Sequence, residues 1–229
     1  MDHIHREVSA SLNSLIETTI SHWQVANSML PPQFPLVLFS DSTLEAAEAL
    51  VGTLKPLREA ATVLAVESDL VAGGLREKQH SLREWLRFYS SMIRGNVPGT
   101  KWERLLERLP HEKGAPFLTW EAAFGASIYW GYLEEEPPKG CPVPFTRMDG
   151  SGLSEFRAEV RAFSDAMEAA MKARIAAEIA EEFVGWTREQ LAEICLRYPA
   201  AVKSRFRAGH GLLDSVPKPW PQEKKSEGA

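Results

Sequence analysis

Between Leu50 and Met92 apolar side chains recur at alternating steps of four and three residues: Leu50, Leu54, Leu57, Ala61, Leu64, Val71, Leu75, Leu82, Trp85, Tyr89 and Met92, with only Ser68 and Lys78 polar in the series. Steps averaging about 3.5 residues place these side chains on one seam of a helix packed lengthwise against others, as in a left-handed bundle or coiled coil. Pro56 removes one backbone donor, and Gly73 and Gly74 each cost about 1 kcal/mol relative to alanine inside a helix. The register nevertheless passes through Gly73-Gly74 unbroken, which a loop has no reason to preserve. The spacing predicts one long helix from about Thr43 to Arg94, with a hairpin at Gly73-Gly74 as the alternative. Burying a Leu or Trp is worth ~1.5–3 kcal/mol, so the seam outweighs two glycines and one proline.

Other segments follow the same logic. Ile4, Val8, Leu12, Leu15, Ile16, Ile20 and Trp23 predict a first helix from about Asp2 to Met29, stopped by Pro31 and Pro32. Phe34 to Phe39 reads as an extended connector, and Ser42 with Glu45 as a capping box. Gly95 to Gly99 is a turn, followed by a short helix from Thr100 to Leu109 carrying Trp102. Beyond Pro110–Pro116, Thr119 is placed to cap a helix presenting Trp120, Phe124, Ile128 and Leu133. Glu135 to Gly152 holds four prolines and three glycines and cannot be helical. A second long helix is expected from about Leu153 to Val184, with Phe156, Val160, Phe163, Met167, Ala170, Met171, Ile175 and Ile179 on one face. Thr187 and Gln190 form a second capping box for a last helix to about Arg207, kinked or restarted at Pro199. The chain after Gly209 reads as loop, and 222–229 as a disordered tail.

The expected fold class is therefore all-α: a helical bundle over 1–221 in which two long helices, about 43–94 and 153–184, pack with the first and last helices. The loop 135–152 is the place where a subdivision would fall.

The net charge of −5 argues against a polyanion as the main partner. The two cysteines, Cys141 and Cys195, form neither a disulfide framework nor a CxxC knuckle, which suits a reducing compartment. Met1 to Glu7 lacks the basic and apolar regions of a secretory signal, and no run approaches the ~18 apolar residues of a membrane helix. The expected location is the cytoplasm.

Catalytic and metal-binding patterns are thin. Glu77 and His80 have ExxH spacing, which helical di-iron sites use twice. The pattern occurs once here, on the side opposite the apolar seam. His3 and His5 sit at the chain start beside Asp2, while His22, His111 and His210 have no ligand-like neighbours in the sequence, so structural or surface roles are expected. HExxH, GxSxG, Walker and GxGxxG patterns are absent. Ser151, in Gly150-Ser151-Gly152, reads as a helix cap, as does Ser154, and Glu134-Glu135-Glu136 as a solvated run. No catalytic residue, cofactor, metal or small-molecule ligand is expected.

Thr187-Arg188-Glu189-Gln190-Leu191-Ala192-Glu193, followed by Ala200 to Phe206 and Gly209, resembles the helix-turn-helix of small bacterial repressors. The resemblance implies that Lys203, Ser204 and Arg207 lie near a DNA groove, with Arg197 and Arg205 on phosphates. Leu196 stands where the turn glycine is usual and Pro199 falls off register, so a helical hairpin packed on the bundle is the alternative. More broadly, Arg197-Tyr198, Ala201-Val202, Arg205-Phe206, His210, Leu212-Leu213 and Ser215-Val216-Pro217 are similar to a group of uncharacterised bacterial all-helical proteins. The likeness reaches back to Leu82–Val97, and it carries no activity.

Of the seven tryptophans, Trp23, Trp85, Trp102, Trp120 and Trp130 are expected in the core. Trp186 reads as a hydrophobic staple packing toward Leu191. Trp220, between Pro219 and Pro221, either folds back on the bundle or serves as a docking residue. The functional expectation is a non-enzymatic structural or assembly protein whose partner is protein, including itself as a homo-oligomer. A DNA-binding regulator using 187–209 and an enzyme with an unrecognised helical site are the alternatives. A helix of about 50 residues would be roughly 75 Å long, more than one compact domain of this size readily covers.

Overall fold

In the computed structural model the backbone of residues 2–38, 42–109 and 115–218 is described, with side chains from residue 12 onward. The described residues are all-α: α1 (Asp2–Ser28), α2 (Leu44–Asn96), α3 (Lys101–Leu106), α4 (Pro116–Glu135) and α5 (Leu153–Arg205), with a 3-10 turn at Gly211–Ser215. The disordered-tail expectation for 222–229 and the docking role of Trp220 fall outside the described residues.

Helix α2 runs unbroken through Pro56, Gly73 and Gly74, so no hairpin forms there. Its first turn is capped by Thr43, whose Oγ1 accepts from the Ala46 amide at 3.3 Å, rather than by Ser42. Along the seam Leu54, Leu82, Trp85, Tyr89 and Met92 are buried, while Lys78 is exposed and its neighbour Gln79 turns inward. Helix α5 is also longer than its sequence implied. Thr187 does not start a new helix: it lies buried inside α5, where its hydroxyl donates to the carbonyl of Phe183 at 2.8 Å. An intrahelical acceptor four residues back satisfies the hydroxyl that a cap would use on a free amide.

The chain forms two compact units, 1–62 with 179–229, and 63–178, and both long helices contribute to each. The loop 135–152 lies inside the second unit and is not a boundary.

In the first unit α1 buries Ile16, Thr19, His22, Trp23 and Ala26 at three and four residue steps. Trp23 packs with Leu36, Leu38, Ile194, Tyr198, Val202 and Leu212. The extended connector is pinned to α1 by two bonds: the Trp23 indole donates to Leu36 O at 3.1 Å, and the Leu36 amide donates to Asn27 Oδ1 at 2.8 Å.

In the second unit the core gathers Trp85, Tyr89, Ile93, Trp102, Trp130, Phe156 and Phe163. Trp85 stacks on Phe156 with centroids 5.5 Å apart, and Tyr89 on Trp130 at 5.9 Å. The proline-rich loop closes over this core: Phe145 is buried, and the Arg147 guanidinium lies 4.5 Å from the Trp85 ring. Glu155 starts α5 by accepting from the Gly152 amide at 2.8 Å, and Ser151 instead donates to Asp149.

Candidate interaction surface

Helix α4 is apolar almost all round; between Pro116 and Leu133 its only charged residue is Glu121. A helix of that composition has no polar side to give to water and is normally covered on every face. Pro116 begins it at the first helical position, where its missing N–H costs nothing. Thr119 is therefore not a cap; it is buried and accepts from Gln79 Nε2 at 2.8 Å.

The buried face consists mostly of small residues: Ala122, Ala123, Ala126 and Ser127, with Trp130 and Leu133. Small side chains let neighbours approach closely. A Cβ at Gly131 would sit 2.5 Å from the Arg157 guanidinium, and one at Gly125 2.9 Å from Leu109. The opposite face carries the large residues. Phe117 is 59% exposed, Phe124 46%, Ile128 38% and Tyr132 58%. Half-buried Trp120 stacks on Phe124 with centroids 5.3 Å apart and lies tilted against Phe117 at 5.8 Å. The four residues expected to be presented together are thus split: Leu133 is buried, Trp120 half-buried, and Phe124 and Ile128 exposed, because the alanine side packs inward.

Smaller apolar surfaces occur elsewhere. In the second unit Val63, Val66 and Leu70 on α2, and Met171 and Ile175 on α5, are exposed. In the first unit Ile179, Phe183 and Trp186 line a hollow of about 290 Å3 with Glu182. Trp186 is therefore exposed in mid-helix and is not a staple over Leu191. The inward face expected of α5 holds through Phe156, Val160 and Phe163, and gives way to exposed Met171, Ile175 and Ile179.

The residues expected near DNA lie at the C-terminal end of α5 and just beyond it. Arg197, Lys203, Ser204, Arg205 and Arg207 are all exposed. Arg197 pairs with Glu193, and the Ser204 hydroxyl donates to Ala201 O at 2.7 Å. Residues 187–205 form a single helix through Leu196 and Pro199, so the turn between two helices that the resemblance implies is not formed there.

Three polar clusters were not legible as such in the sequence. In the first unit His22 Nδ1 lies 2.6 Å from Tyr198 Oη, and Nε2 lies 3.1 Å from Leu212 O and 3.2 Å from Ser215 Oγ. A carbonyl oxygen only accepts, so Nε2 carries the proton and Nδ1 receives the Tyr198 hydroxyl. Ser215 also donates to Leu212 O at 3.1 Å. Ser215 thus faces an N–H rather than a basic lone pair, and the cluster clamps α1, α5 and the 3-10 turn. Burial pushes the Tyr198 phenol up, which keeps it a neutral donor.

In the second unit Glu134 Oε1 accepts from the Trp130 indole at 2.8 Å and from the Phe145 amide at 3.1 Å. Glu134 therefore anchors the loop and is not part of a solvated run. A groove of about 690 Å3 in the same unit is lined by Arg87, Arg94, Arg104, Glu103, Glu107 and Ser90 among others. Glu103 there also accepts from the Gly99 amide at 2.7 Å, which ties it to the turn before α3.

His80 lies 3.5 Å from Glu84 on an exposed face. No group of three or more His, Cys, Asp or Glu side chains among the described residues is placed to share a metal ion. No helix among them is long and apolar enough to cross a membrane. Comparison with known protein families, with curated proteins and with solved structures returns no match.

Proposed function

We propose that this chain is a non-enzymatic assembly component that acts in the cytoplasm by binding protein, in the first place copies of itself. The observation supporting the reading is the set of large apolar side chains held in solvent at helical spacing in both units, most densely along α4. Contiguous apolar surface of this kind has an unfavourable contact with water that association removes. The test is light scattering coupled to size-exclusion chromatography over about 1–100 µM. A mass that is a multiple of 25.6 kDa supports self-assembly, and a monomer throughout that range sinks it.

Duplex DNA binding is the second reading, favoured by the exposed cations Lys203, Arg205 and Arg207 at the end of α5. It requires salt-sensitive binding of a labelled duplex that is lost on Lys203→Glu with Arg207→Glu. Absence of binding at low salt removes it.

A further inference from the structure

We infer that Arg58 and Arg188, with Asn13, form a binding site for a small doubly charged oxyanion, inorganic phosphate or a phosphate monoester. All three residues belong to the first unit. Their placement follows from the packing around them. Trp23 and Tyr198 share a cluster with Leu44 and Ala47, while Ile16 and Leu191, two turns earlier on their helices, share one with Leu54. Helix α2 therefore runs opposite to α1 and α5 here. Asn13 and Arg188 stand three residues before Ile16 and Leu191, and Arg58 stands four residues after Leu54. The layer that follows the apolar one is thus polar, with one half-buried side chain from each helix. No spacing in the sequence signals such a site, because its members lie on three separate helices.

A polar layer between packed helices is stable when its groups satisfy one another. This one is short of acceptors. Among the described residues the Arg58 guanidinium meets a single acceptor, Asn13 Oδ1, at 3.5 Å. The Nε of Arg188 is shielded from solvent and meets none. No carboxylate among the described residues forms an ion pair with either arginine. Burial, and after it the charge of Arg58, hold the Arg188 guanidinium below its ordinary pKa. Two like charges drawn partly out of water thus lack the counter-charge that normally accompanies such groups.

Charge and shape together select the ligand. A guanidinium presents a planar fork that takes two oxygens of a phosphate side-on. Two guanidiniums balance a dianion, where a single carboxylate would leave net positive charge. Beside Arg58 lies a hollow of about 270 Å3 lined by Asn13, Ile16, Val51 and Leu54, with Lys55 and Glu17. Lys55 is 4.0 Å from Glu59, which leaves Arg58 as the cation of this hollow without an acidic partner. Pockets for drug-sized molecules are ~300–1,000 Å3, so the hollow suits an anion of few heavy atoms. The larger groove with Arg87, Arg94 and Arg104 lacks this imbalance, because Glu103 and Glu107 share it.

The experiment titrates the full chain with sodium phosphate, against sodium chloride at matched ionic strength, by isothermal calorimetry and thermal denaturation. One saturable site with a dissociation constant on the order of 1 mM is expected. About 20 mM phosphate should then raise Tm by roughly 4–7 °C over the chloride control. Arg58→Gln and Arg188→Gln should each weaken binding about 10-fold or more, as loss of a charged hydrogen bond does. Arg104→Gln, in the other unit, should bind as the wild type does. A parallel titration with phenyl phosphate separates the two sources of the anion: the tighter binder is the form the site takes. Failure to saturate by about 50 mM of either anion overturns the site. Binding that survives intact in both glutamine variants overturns it equally. Should those variants fail to fold, Arg58→Lys and Arg188→Lys, which keep the charge and lose the fork, are read under the same criteria.

Discussion

Tyr198 gives its hydroxyl hydrogen to Nδ1 of His22 at 2.6 Å, joining residues 176 positions apart in the sequence. The bond is buried, and its other end, the His22 Nε2–H, holds the carbonyl of Leu212. Tyr198→Phe should lower stability by about 1–2 kcal/mol, the worth of a buried hydrogen bond whose partner is left unsatisfied. In a cycle with His22→Leu the two changes should couple by about 1 kcal/mol, measured by urea denaturation. Strict additivity would mean that the pair does not act as one clamp.

Glu134 is the corresponding link in the other unit. Replacing it with alanine strips the acceptor from the Trp130 indole and the Phe145 amide together. The expected loss is about 2–3 kcal/mol. Glu134→Gln keeps an oxygen at the same place and should recover most of it. Equal losses in the two variants would point to the negative charge, and not the acceptor, as the important property.

Gly73 and Gly74 lie inside α2, with nothing within 4 Å of an added Cβ. Alanine at either position should therefore stabilise the chain by about 0.5–1 kcal/mol. In a protein of this size that is a rise of roughly 1–4 °C in Tm, read by thermal denaturation. At Gly99, where φ is +72°, the same substitution should destabilise, since a side chain strains that conformation. Destabilisation at Gly73 or Gly74 would contradict the unbroken helix.

The start of α5 should depend on acid. The Glu155 carboxyl is held below its ordinary value of 4.5 chiefly by the Gly152 amide, then by its own backbone amide and the Ser154 hydroxyl. A carboxyl depressed in the folded state binds fewer protons there than in the unfolded chain. Its contribution is complete above the unfolded value and is lost as pH falls through the folded one. Glu155→Ala should lower the urea midpoint at neutral pH, and the gap should close as pH falls below the ordinary carboxyl value and through the depressed folded one. A gap that persists in acid would assign the effect to lost packing.

The two long helices, the seam from Leu50 to Met92 and the breaks at Pro31-Pro32 and Pro137-Pro138 are written in the sequence. They depend on a local period and on backbone chemistry, and both act within a few residues. The amino acids around Thr187 and Gln190 carry an equally local signal for a helix start, yet packing of Leu191, Ile194 and Tyr198 carries α5 through it. For α4 the sequence establishes only that a helix forms. With apolar residues on every side it contains no period to choose a face, and the choice fell to tertiary contact, where Ala122, Ala123 and Ala126 permit close approach and leave Phe117, Phe124, Ile128 and Tyr132 outside. The partners of His22 and Glu134 were hidden for a related reason. A hydrogen bond to a residue far along the chain leaves no trace in local spacing, and only the folded backbone brings the donor to its acceptor.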